Sequence, residues 1–169
     1  MELITSLTNA KVKMALSLQQ KKYRDKYQLF ILEGIRNAEM VIAKNISVQM
    51  CFFTQKAFTN ERGKSILEQL NCPCFEIPEH IYQKISDTQS PQGLMLILPI
   101  QNHNLDDLAT INKSGLYLIL DRLQDPGNIG TIIRTADAMG VKAIICLNGT
   151  ADIYSPKVVR SAMGSLFNL

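Results

Sequence analysis

The sequence predicts an α/β fold organised as two domains. Short apolar segments with the composition of strands alternate with helical segments through the first part of the chain. A polar segment over residues 99–114 interrupts this alternation, and a second strand–helix–strand pattern follows it. The chain has 169 residues, of which 46% are hydrophobic and 20% charged, as in ordinary globular proteins. We therefore expect a first domain over residues 1–99, a linker over 100–114 and a second domain over 115–169.

The elements of the first domain follow from the spacing of its hydrophobic residues. A helix is predicted over residues 9–24, with Val12 and Leu16 facing the core. Thr8 or Asn9 is expected to cap its start. Strands are predicted at the apolar runs 29–32, 48–54, 74–77 and 94–98. Further helices are predicted between these strands, over residues 36–44, 63–70 and 78–86.

The second domain is predicted to open with a βαβ unit. An apolar strand over residues 116–120 is followed by a turn over 124–128 and a helix over 129–139. The next strand, over residues 141–147, is nearly all apolar, which indicates burial on both faces and parallel pairing with the first strand. Parallel strands joined by one helix make a right-handed βαβ crossover.

Composition and cysteine spacing exclude several classes of protein. No apolar run approaches the roughly 20 residues of a transmembrane helix, and the N-terminus lacks the basic and apolar regions of a signal peptide. The four cysteines show no repeated spacing, which argues against a disulfide scaffold. Cys72 and Cys74 are a single close pair, and His80 and His103 lack an H-E-x-x-H pattern, so no metal site is expected. We expect a soluble, intracellular, reduced protein with no membrane partner.

Positive charge is concentrated near the N-terminus. Residues 1–36 carry seven basic and three acidic side chains, whereas the net charge of the whole chain is +3. Such a concentration is typical of proteins that bind a polyanion. The basic residues of this stretch before residue 30 are Lys11, Lys13, Lys21, Lys22, Arg24 and Lys26. Tyr23 and Tyr27 lie among them and are suited to stacking on unpaired bases, although packing against their own helix explains them equally well.

The end of the first strand of the second domain is where an α/β sheet usually binds ligands. Gly127 and Gly130 follow it, and both allow the backbone to approach a ligand at a helix N-terminus, which favours anions. Their spacing is neither the dinucleotide-binding G-x-G-x-x-G nor a P-loop, so a tight strand-to-helix turn is the simpler explanation.

Two groups of charged side chains in the second domain have both a functional and a structural interpretation. Arg134 lies in an otherwise apolar and small helix, where it is either a functional cation or the partner of Asp137 in a surface ion pair. A last helix is predicted over residues 156–163, with serine at its N-cap and proline at its first position. Lys157 and Arg160 share one face of that helix, and a solvated face is the alternative explanation for them.

Four segments carry a specific family resemblance. In the second domain they are Asp-Pro-Gly-Asn-Ile-Gly-Thr-Ile-Ile-Arg-Thr-Ala at 125–136 and Ser-Pro-Lys-Val-Val-Arg-Ser-Ala-Met-Gly-Ser-Leu-Phe at 155–167. In the first domain they are Phe-Ile-Leu-Glu-Gly-Ile-Arg at 30–36 and Ser-Pro-Gln-Gly at 90–93. The first pair resembles the two leading motifs of the SpoU (TrmH) family of RNA ribose 2′-O-methyltransferases. The second pair is similar to the L30e-like substrate-binding domain that often precedes them, so the resemblance covers essentially the whole chain.

This resemblance implies both a fold and an activity. The fold is an L30e-like α/β domain followed by the first part of a SPOUT-type (α/β knot) domain with a Rossmann-like parallel sheet. The activity is methyl transfer from S-adenosylmethionine to a nucleotide ribose, in ribosomal RNA, by a homodimer that needs no metal.

The resemblance stops short of the family's third motif. That motif is a G-x-E-x-x-G segment and a Ser-Leu-Asn-Val run, which form the knot and most of the S-adenosylmethionine pocket. We therefore expect the cofactor-binding residues to lie beyond Leu169. We also expect that residues 1–169 alone bind S-adenosylmethionine weakly or not at all and transfer no methyl groups. The helices over 129–139 and 156–163 cannot cover both faces of the strands at 116–120 and 141–147, so we further expect an exposed apolar face in this domain.

The resemblance also implies roles for individual residues. Arg134 matches the catalytic arginine of the family, and Asn128 matches the asparagine of the same motif, expected to orient the ribose or Arg134. Further motif positions are matched by Gly127, Gly130, Ser161 and Gly164. The expected RNA contacts are the six basic residues before residue 30 together with Arg36, Lys157 and Arg160.

Three other functions remain open. Transfer RNA rather than ribosomal RNA is one alternative substrate. A non-catalytic RNA-binding module is a second alternative for this chain. A nucleotide-binding oxidoreductase is disfavoured, because no acidic ribose-binding residue ends the strand at 141–147.

Overall fold

The computed structural model describes residues 1–102 and 115–169. These residues form two compact units, Met1–Ile100 and Gln101–Leu169. His103 and most of the predicted linker lie outside the described residues. No helix in the described part of the chain is long and apolar enough to cross a membrane.

The first unit is built on a mixed sheet. Its strands are β1 (Glu2–Leu3), β2 (Leu29–Glu33), β3 (Met50–Phe53), β4 (Cys74–Glu76) and β5 (Leu94–Pro99). They lie in the order β1-β4-β3-β5-β2. β4 is parallel to β1 and β3, whereas β5 pairs antiparallel with β3 and β2. The first five residues of β5 are buried, as expected for a strand with neighbours on both sides.

Helices alternate with these strands along the chain. They are α1 (Ala10–Ser17), α2 (Lys21–Tyr27), α3 (Ile35–Ala43), α4 (Gln55–Phe58), α5 (Glu61–Gln69) and α6 (Glu79–Ile85). One apolar core joins α1 and α6 to the sheet and includes Val12, Phe52, Phe75 and Ile81. Burying each of these side chains contributes roughly 1.5–3 kcal/mol to folding.

Residues 9–24 do not form one helix, and that prediction is wrong. Asn9 caps α1, which is one of the two predicted caps, but α1 ends before Leu18. The Arg24 guanidinium donates hydrogen bonds to the carbonyls of Leu18 and Gln19 at 2.7 and 2.9 Å. These bonds satisfy acceptors that the end of a helix leaves free, and a second helix, α2, carries the arginine. Polar and charged residues run across the break, so hydrophobic spacing does not reveal it.

Two short elements of the first unit were not predicted. β1 has two residues and α4 has four, which is too short for a periodic pattern. The remaining strands and helices of this unit lie within a few residues of their predicted positions.

The second unit contains β6 (Tyr117–Leu120), α7 (Pro126–Ala138), β7 (Ala143–Cys146) and α8 (Pro156–Ala162). β6 and β7 are parallel, with Leu118 opposite Ile144, which confirms the predicted βαβ unit. A 3₁₀ turn, Ser165–Phe167, follows α8. The core between the sheet and the two helices includes Leu120, Ile129, Ile133, Val158 and Ala162.

One face of this two-stranded sheet is open, as predicted for a domain in which two helices cannot cover both faces of two apolar strands. α7 and α8 cover the face that carries Leu118 and Leu120. On the opposite face Ile119 is 59% exposed and Leu147 is 44% exposed. The two strands therefore carry more apolar side chains than the described residues bury.

α7 begins earlier than predicted. Pro126 is its first residue, and the carboxylate of Asp125 accepts a hydrogen bond from the backbone N–H of Asn128 at 2.7 Å. Gly127 and Asn128 therefore belong to the first helical turn, and the predicted turn over 124–128 is wrong. Aspartate followed by proline is a recognised helix start, so the sequence does contain the correct boundary.

Candidate active site

The candidate site is built where α7 and α8 approach each other closely. A Cβ atom added at Gly130 would lie 2.3 Å from Cβ of Ser161 and 3.0 Å from the backbone nitrogen of Ala162. Real side chains do not come this close, so only glycine permits this approach of the two helices. The structure therefore gives Gly130 a packing role in place of the predicted approach to a ligand.

Arg134 lies one turn beyond Gly130 on the same helix, and its exposed guanidinium reaches the end of α8. Its Nη1 donates a hydrogen bond to Sδ of Met163 at 3.1 Å. Asp137 is not its partner, because Oδ2 of Asp137 accepts a hydrogen bond from Nδ2 of Asn168 at 2.6 Å. Among the described residues no carboxylate forms an ion pair with Arg134. The surface-pair interpretation of Arg134 is therefore wrong, and no carboxylate in the described part of the chain compensates its positive charge.

Asn128 is exposed at the start of the same helix. Six residues separate it from Arg134, which corresponds to about 120° around the helix and about 9 Å along its axis. No hydrogen bond joins the two side chains. The two residues share one helix, but the structure does not bring them into contact.

The loops at the carboxyl ends of β6 and β7 hold polar residues that sequence reasoning did not single out. Arg122 has a left-handed backbone (φ 53°) and pairs with the carboxylate of Asp121 at 3.0 Å. Gln124 donates to the backbone carbonyl of Gly149. The position of these residues directly after a parallel strand was the available signal.

In the first unit, the two motif segments 30–36 and 90–93 meet. The side-chain oxygen of Gln92 accepts a hydrogen bond from the backbone N–H of Ile35 at 2.9 Å, at the first residue of α3. Gly93 has φ +78°, and a Cβ there would lie 2.3 Å from Oγ1 of Thr54. A hydrogen bond thus holds together two segments of this unit that are distant in the sequence.

Three thiols lie together where β3 and β4 pair. Cys51 is opposite Cys74 in the ladder, and Cys72 is two residues before Cys74. Hydrogen bonds from the Cys51 and Cys72 thiols lower the pKa of Cys74, whereas the pKa of Cys51 is raised by its hydrogen bond to Cys74 and by burial. No group of three or more metal-ligating side chains suited to a metal ion is found in residues 1–102 and 115–169.

Comparison with protein families assigns both units. Residues 9–96 match the MRM3-like substrate binding domain, and residues 115–169 match the SpoU rRNA Methylase family. The chain combines an MRM3-like substrate-binding domain with a SpoU methylase domain. This confirms the resemblance carried by the four segments, including the substrate-binding domain that precedes the SpoU domain.

Relatives of this SpoU chain extend over both units. The 23S rRNA (guanosine(2553)-2′-O)-methyltransferase RlmP of Bacillus subtilis is 34% identical over 169 residues, which are 100% of this chain and 64% of that protein. The mitochondrial rRNA methyltransferase 3 of Xenopus laevis is 32% identical over 154 residues, which are 89% of this chain and 36% of that protein. The chain therefore spans less than two thirds of the length of these relatives.

Solved structures of SpoU proteins share the fold. An AdoMet-bound rRNA methyltransferase from Sinorhizobium meliloti is 32% identical with a TM-score of 0.85, over 99% of this chain and 62% of that one. The SpoU methyltransferase AviRb from Streptomyces viridochromogenes, in complex with the cofactor AdoMet, is 25% identical with a TM-score of 0.87, over 95% of this chain and 61% of that one. These matches confirm the predicted α/β fold class.

Several predicted RNA contacts lie on α2 of the MRM3-like domain, where lysines and tyrosines alternate on an exposed surface. The rings of Tyr23 and Tyr27 are stacked with centroids 6.3 Å apart. The ammonium groups of Lys22 and Lys26 lie over these two rings, at 5.8 and 5.3 Å from the centroids. Lys21 pairs with Asp25 at 2.8 Å on the exposed surface. We call the exposed residues Lys21, Lys22, Lys26 and Tyr27 the α2 surface.

Arg24 does not belong to the α2 surface. Its side chain is 3% exposed and caps the end of α1, so we withdraw it from the predicted RNA contacts. Lys11 is also engaged within the domain, because its ammonium group pairs with Glu2 at 3.2 Å and lies 4.2 Å from the centroid of the Phe75 ring. Lys13 on α1 and Arg36 on α3 are exposed.

In the SpoU domain, Lys157 and Arg160 are both exposed and one turn apart on α8. Ser161 packs against Gly130, as described above. Gly164 has φ +88°, a conformation that favours glycine, and follows the end of α8. The second motif thus combines exposed cations with a tight helix contact and a glycine-dependent turn.

Proposed function

We propose that the protein is an S-adenosylmethionine-dependent RNA ribose 2′-O-methyltransferase with ribosomal RNA as its substrate, working in the cytoplasm. The observation that supports it best is Arg134, an exposed guanidinium at the α7–α8 contact with no ion-pair partner among the described carboxylates. The names of the relatives RlmP and rRNA methyltransferase 3 support ribosomal RNA over transfer RNA.

The chemistry of methyl transfer needs what Arg134 offers. A ribose 2′-hydroxyl is poorly acidic, so negative charge develops on its oxygen as it attacks a methyl group in line. A guanidinium aimed at that oxygen stabilises this charge. Arginine stays protonated at neutral pH and is no general base, so we assign the proton to a phosphate oxygen of the RNA.

S-adenosylmethionine supplies the electrophilic methyl group in this proposal. The side chains at the carboxyl ends of β6 and β7 are engaged with one another, since Arg122 pairs with Asp121 and Gln124 with Gly149. The described residues therefore do not by themselves fit a cofactor pocket. We assign the described residues to the substrate side of the reaction.

Methyl transfer by the full-length protein tests the proposal. Ribosomal RNA incubated with tritium-labelled S-adenosylmethionine should gain label that survives alkaline hydrolysis as a dinucleotide, because a 2′-O-methyl group blocks cleavage. Arg134→Ala should lower the rate by about 10²- to 10³-fold, the usual loss for one pre-aimed donor. Arg134→Lys should not restore it, since a point charge lacks the planar fork of donors.

The matched control is Arg62→Ala, which removes an exposed arginine that pairs with Glu39 in the first unit. It should keep full methyl-transfer activity. If Arg134→Ala retains more than half of the wild-type rate, the role assigned to Arg134 is wrong.

A non-catalytic RNA-binding module is the second candidate. The α2 surface supports it, because exposed lysines beside stacked tyrosines suit an unpaired strand without any chemistry. RNA binding by the full-length protein without methyl transfer would favour this candidate.

We also propose that the full-length enzyme is a homodimer, as the family resemblance implies. Sedimentation equilibrium of the full-length protein measures this directly, and a monomer at micromolar concentration would contradict it.

A further inference from the structure

The hydrogen bond between Arg134 and Met163 is unusual in its choice of acceptor. Nη1 of the guanidinium lies 3.1 Å from Sδ of the methionine. A thioether is a weak acceptor and carries no charge. Arginine side chains at the surface usually meet carboxylates or carbonyls, and here an aspartate one turn away, Asp137, is held by Asn168 at 2.6 Å.

The backbone of Met163 is also unusual. It ends α8 with φ 50° and ψ 37°, a left-handed conformation that glycine adopts easily and that is uncommon for other residues. Its side chain is 51% exposed, so core packing does not explain the methionine. This conformation ends α8, as in many helix C-terminal caps, and it sets the direction in which the Met163 side chain leaves the backbone.

The packing of α7 on α8 fixes the distance between the two side chains. Gly130, one turn before Arg134, touches Ser161, which lies two residues before Met163. The close helix contact and the left-handed turn together direct the thioether toward the guanidinium.

From these observations we infer that Met163 is a positioning residue for Arg134. Its sulfur accepts a hydrogen bond from one N–H of the guanidinium and so orients that planar group. The positive charge and the remaining N–H donors stay available for the RNA substrate. A carboxylate in its place would orient the fork equally well but would neutralise the charge that stabilises the developing alkoxide. This inference rests on the methyltransferase function proposed above.

The contact itself is tested by NMR on the 169-residue chain. The protein is labelled with ¹³C at the methyl groups of its seven methionines. Met163→Leu assigns the Met163 resonance by removing it. Arg134→Lys should shift that resonance and leave the other six in place, whereas the control Arg122→Gln should shift none of the seven. An unmoved Met163 resonance in Arg134→Lys would overturn the inference, whatever the activity of the protein.

The positioning role is tested by kinetics of the full-length protein. Met163→Leu keeps the size and apolar character of the side chain but has no acceptor. It should lower kcat by roughly three- to tenfold, as expected for one hydrogen bond to a weak, uncharged acceptor, without changing the KM for RNA. Met163→Gln offers a neutral oxygen acceptor and should recover kcat to within about threefold of wild type.

The double variant Arg134→Ala/Met163→Leu should be no slower than Arg134→Ala alone, because the methionine acts only through the arginine. Unchanged kcat in Met163→Leu, or an additive loss in the double variant, would overturn the positioning role. If the wild-type protein shows no methyl transfer, the proposed function fails, and the NMR result alone then decides whether the contact exists.

Discussion

Arg24 lies in the most basic stretch of the chain, yet its guanidinium binds the protein's own backbone. The two carbonyls at the end of α1, those of Leu18 and Gln19, accept its hydrogen bonds. Charge along the sequence does not distinguish this arginine from its exposed neighbours, because the distinction depends on where α1 ends. Burial, which only the folded chain reveals, separates structural cations from those available to RNA.

We predict that Arg24→Ala destabilises the protein by roughly 1.5–3 kcal/mol, since hydrogen bonds to charged groups have this value and the carbonyls lose their partner. Lys22→Ala, an exposed change on the same helix, should stay within about 0.5 kcal/mol of wild type. Urea unfolding followed by circular dichroism measures both. Equal midpoints for the two variants would show that Arg24 has no capping role.

Gly130 sets the distance between the helices α7 and α8. Gly130→Ala should gain about 0.8–1 kcal/mol from helix propensity but lose more from overpacking against Ser161 and Ala162. We expect a net destabilisation of about 1–2 kcal/mol. Gly127→Ala is the control, because a Cβ there meets only Oδ1 of Asp125, at 3.1 Å.

The thermal midpoint of the 169-residue chain measures the effect of both glycine variants. Gly127→Ala should change it far less than Gly130→Ala. Equal midpoints for Gly130→Ala and wild type would mean that α7 and α8 do not pack as closely as described.

The exposed lysines of the α2 surface are predicted to contact RNA phosphates. We predict that replacing Lys21, Lys22 and Lys26 together by serine weakens RNA binding and flattens its salt dependence. On single-stranded RNA, the slope of log affinity against log salt should shrink by roughly 0.7 for each phosphate that the variant no longer neutralises. Filter-binding titrations of the full-length protein at several salt concentrations provide the slope.

A matched triple variant carries the same charge change elsewhere on the first unit. Lys44, Lys64 and Lys84 are exposed and lie outside the basic stretch. Replacing them by serine should leave the slope close to that of wild type. If both triple variants reduce the slope equally, the effect reflects net charge alone and the α2 surface has no special role.

Elements with a clear hydrophobic pattern were predicted well, and their ends were not. The strand at β5 and the helix at α6 follow directly from apolar spacing. The break before Lys21 depends on a cap from Arg24, and the packing role of Gly130 depends on a second helix much later in the chain. For the candidate site, Arg134 was predicted from its motif, whereas Met163 was not singled out because a methionine beside a glycine carries no chemical signal in a sequence.

At the scale of the whole molecule, the two units differ in how completely they bury their apolar residues. In the first unit, β5 is flanked by β3 and β2. In the second, the face with Ile119 and Leu147 is open in the described residues. The alternation of strands and helices predicted the fold of both units, and the presence of only two helices beside two apolar strands predicted the exposed face of the second unit.

We predict that this open face makes the 169-residue chain bind the dye ANS. Ile119→Thr keeps a β-branched residue in the strand but replaces the ethyl branch of the side chain by a hydroxyl group. This substitution should lower ANS fluorescence. Leu3→Thr is the control, because Leu3 is 62% exposed but belongs to the first unit. Equal fluorescence from Ile119→Thr and wild type would show that the face does not bind the dye.

The parallel pairing of β6 with β7 also affects how fast their backbone amides exchange hydrogen with solvent. In a parallel pair only every second residue of each strand directs its N–H group to the partner, and within the described residues these two strands pair only with each other. The alternate N–H groups point outward along both edges, where no described strand accepts them. In hydrogen–deuterium exchange, fast and slow backbone amides should therefore alternate from residue to residue along β6 and along β7.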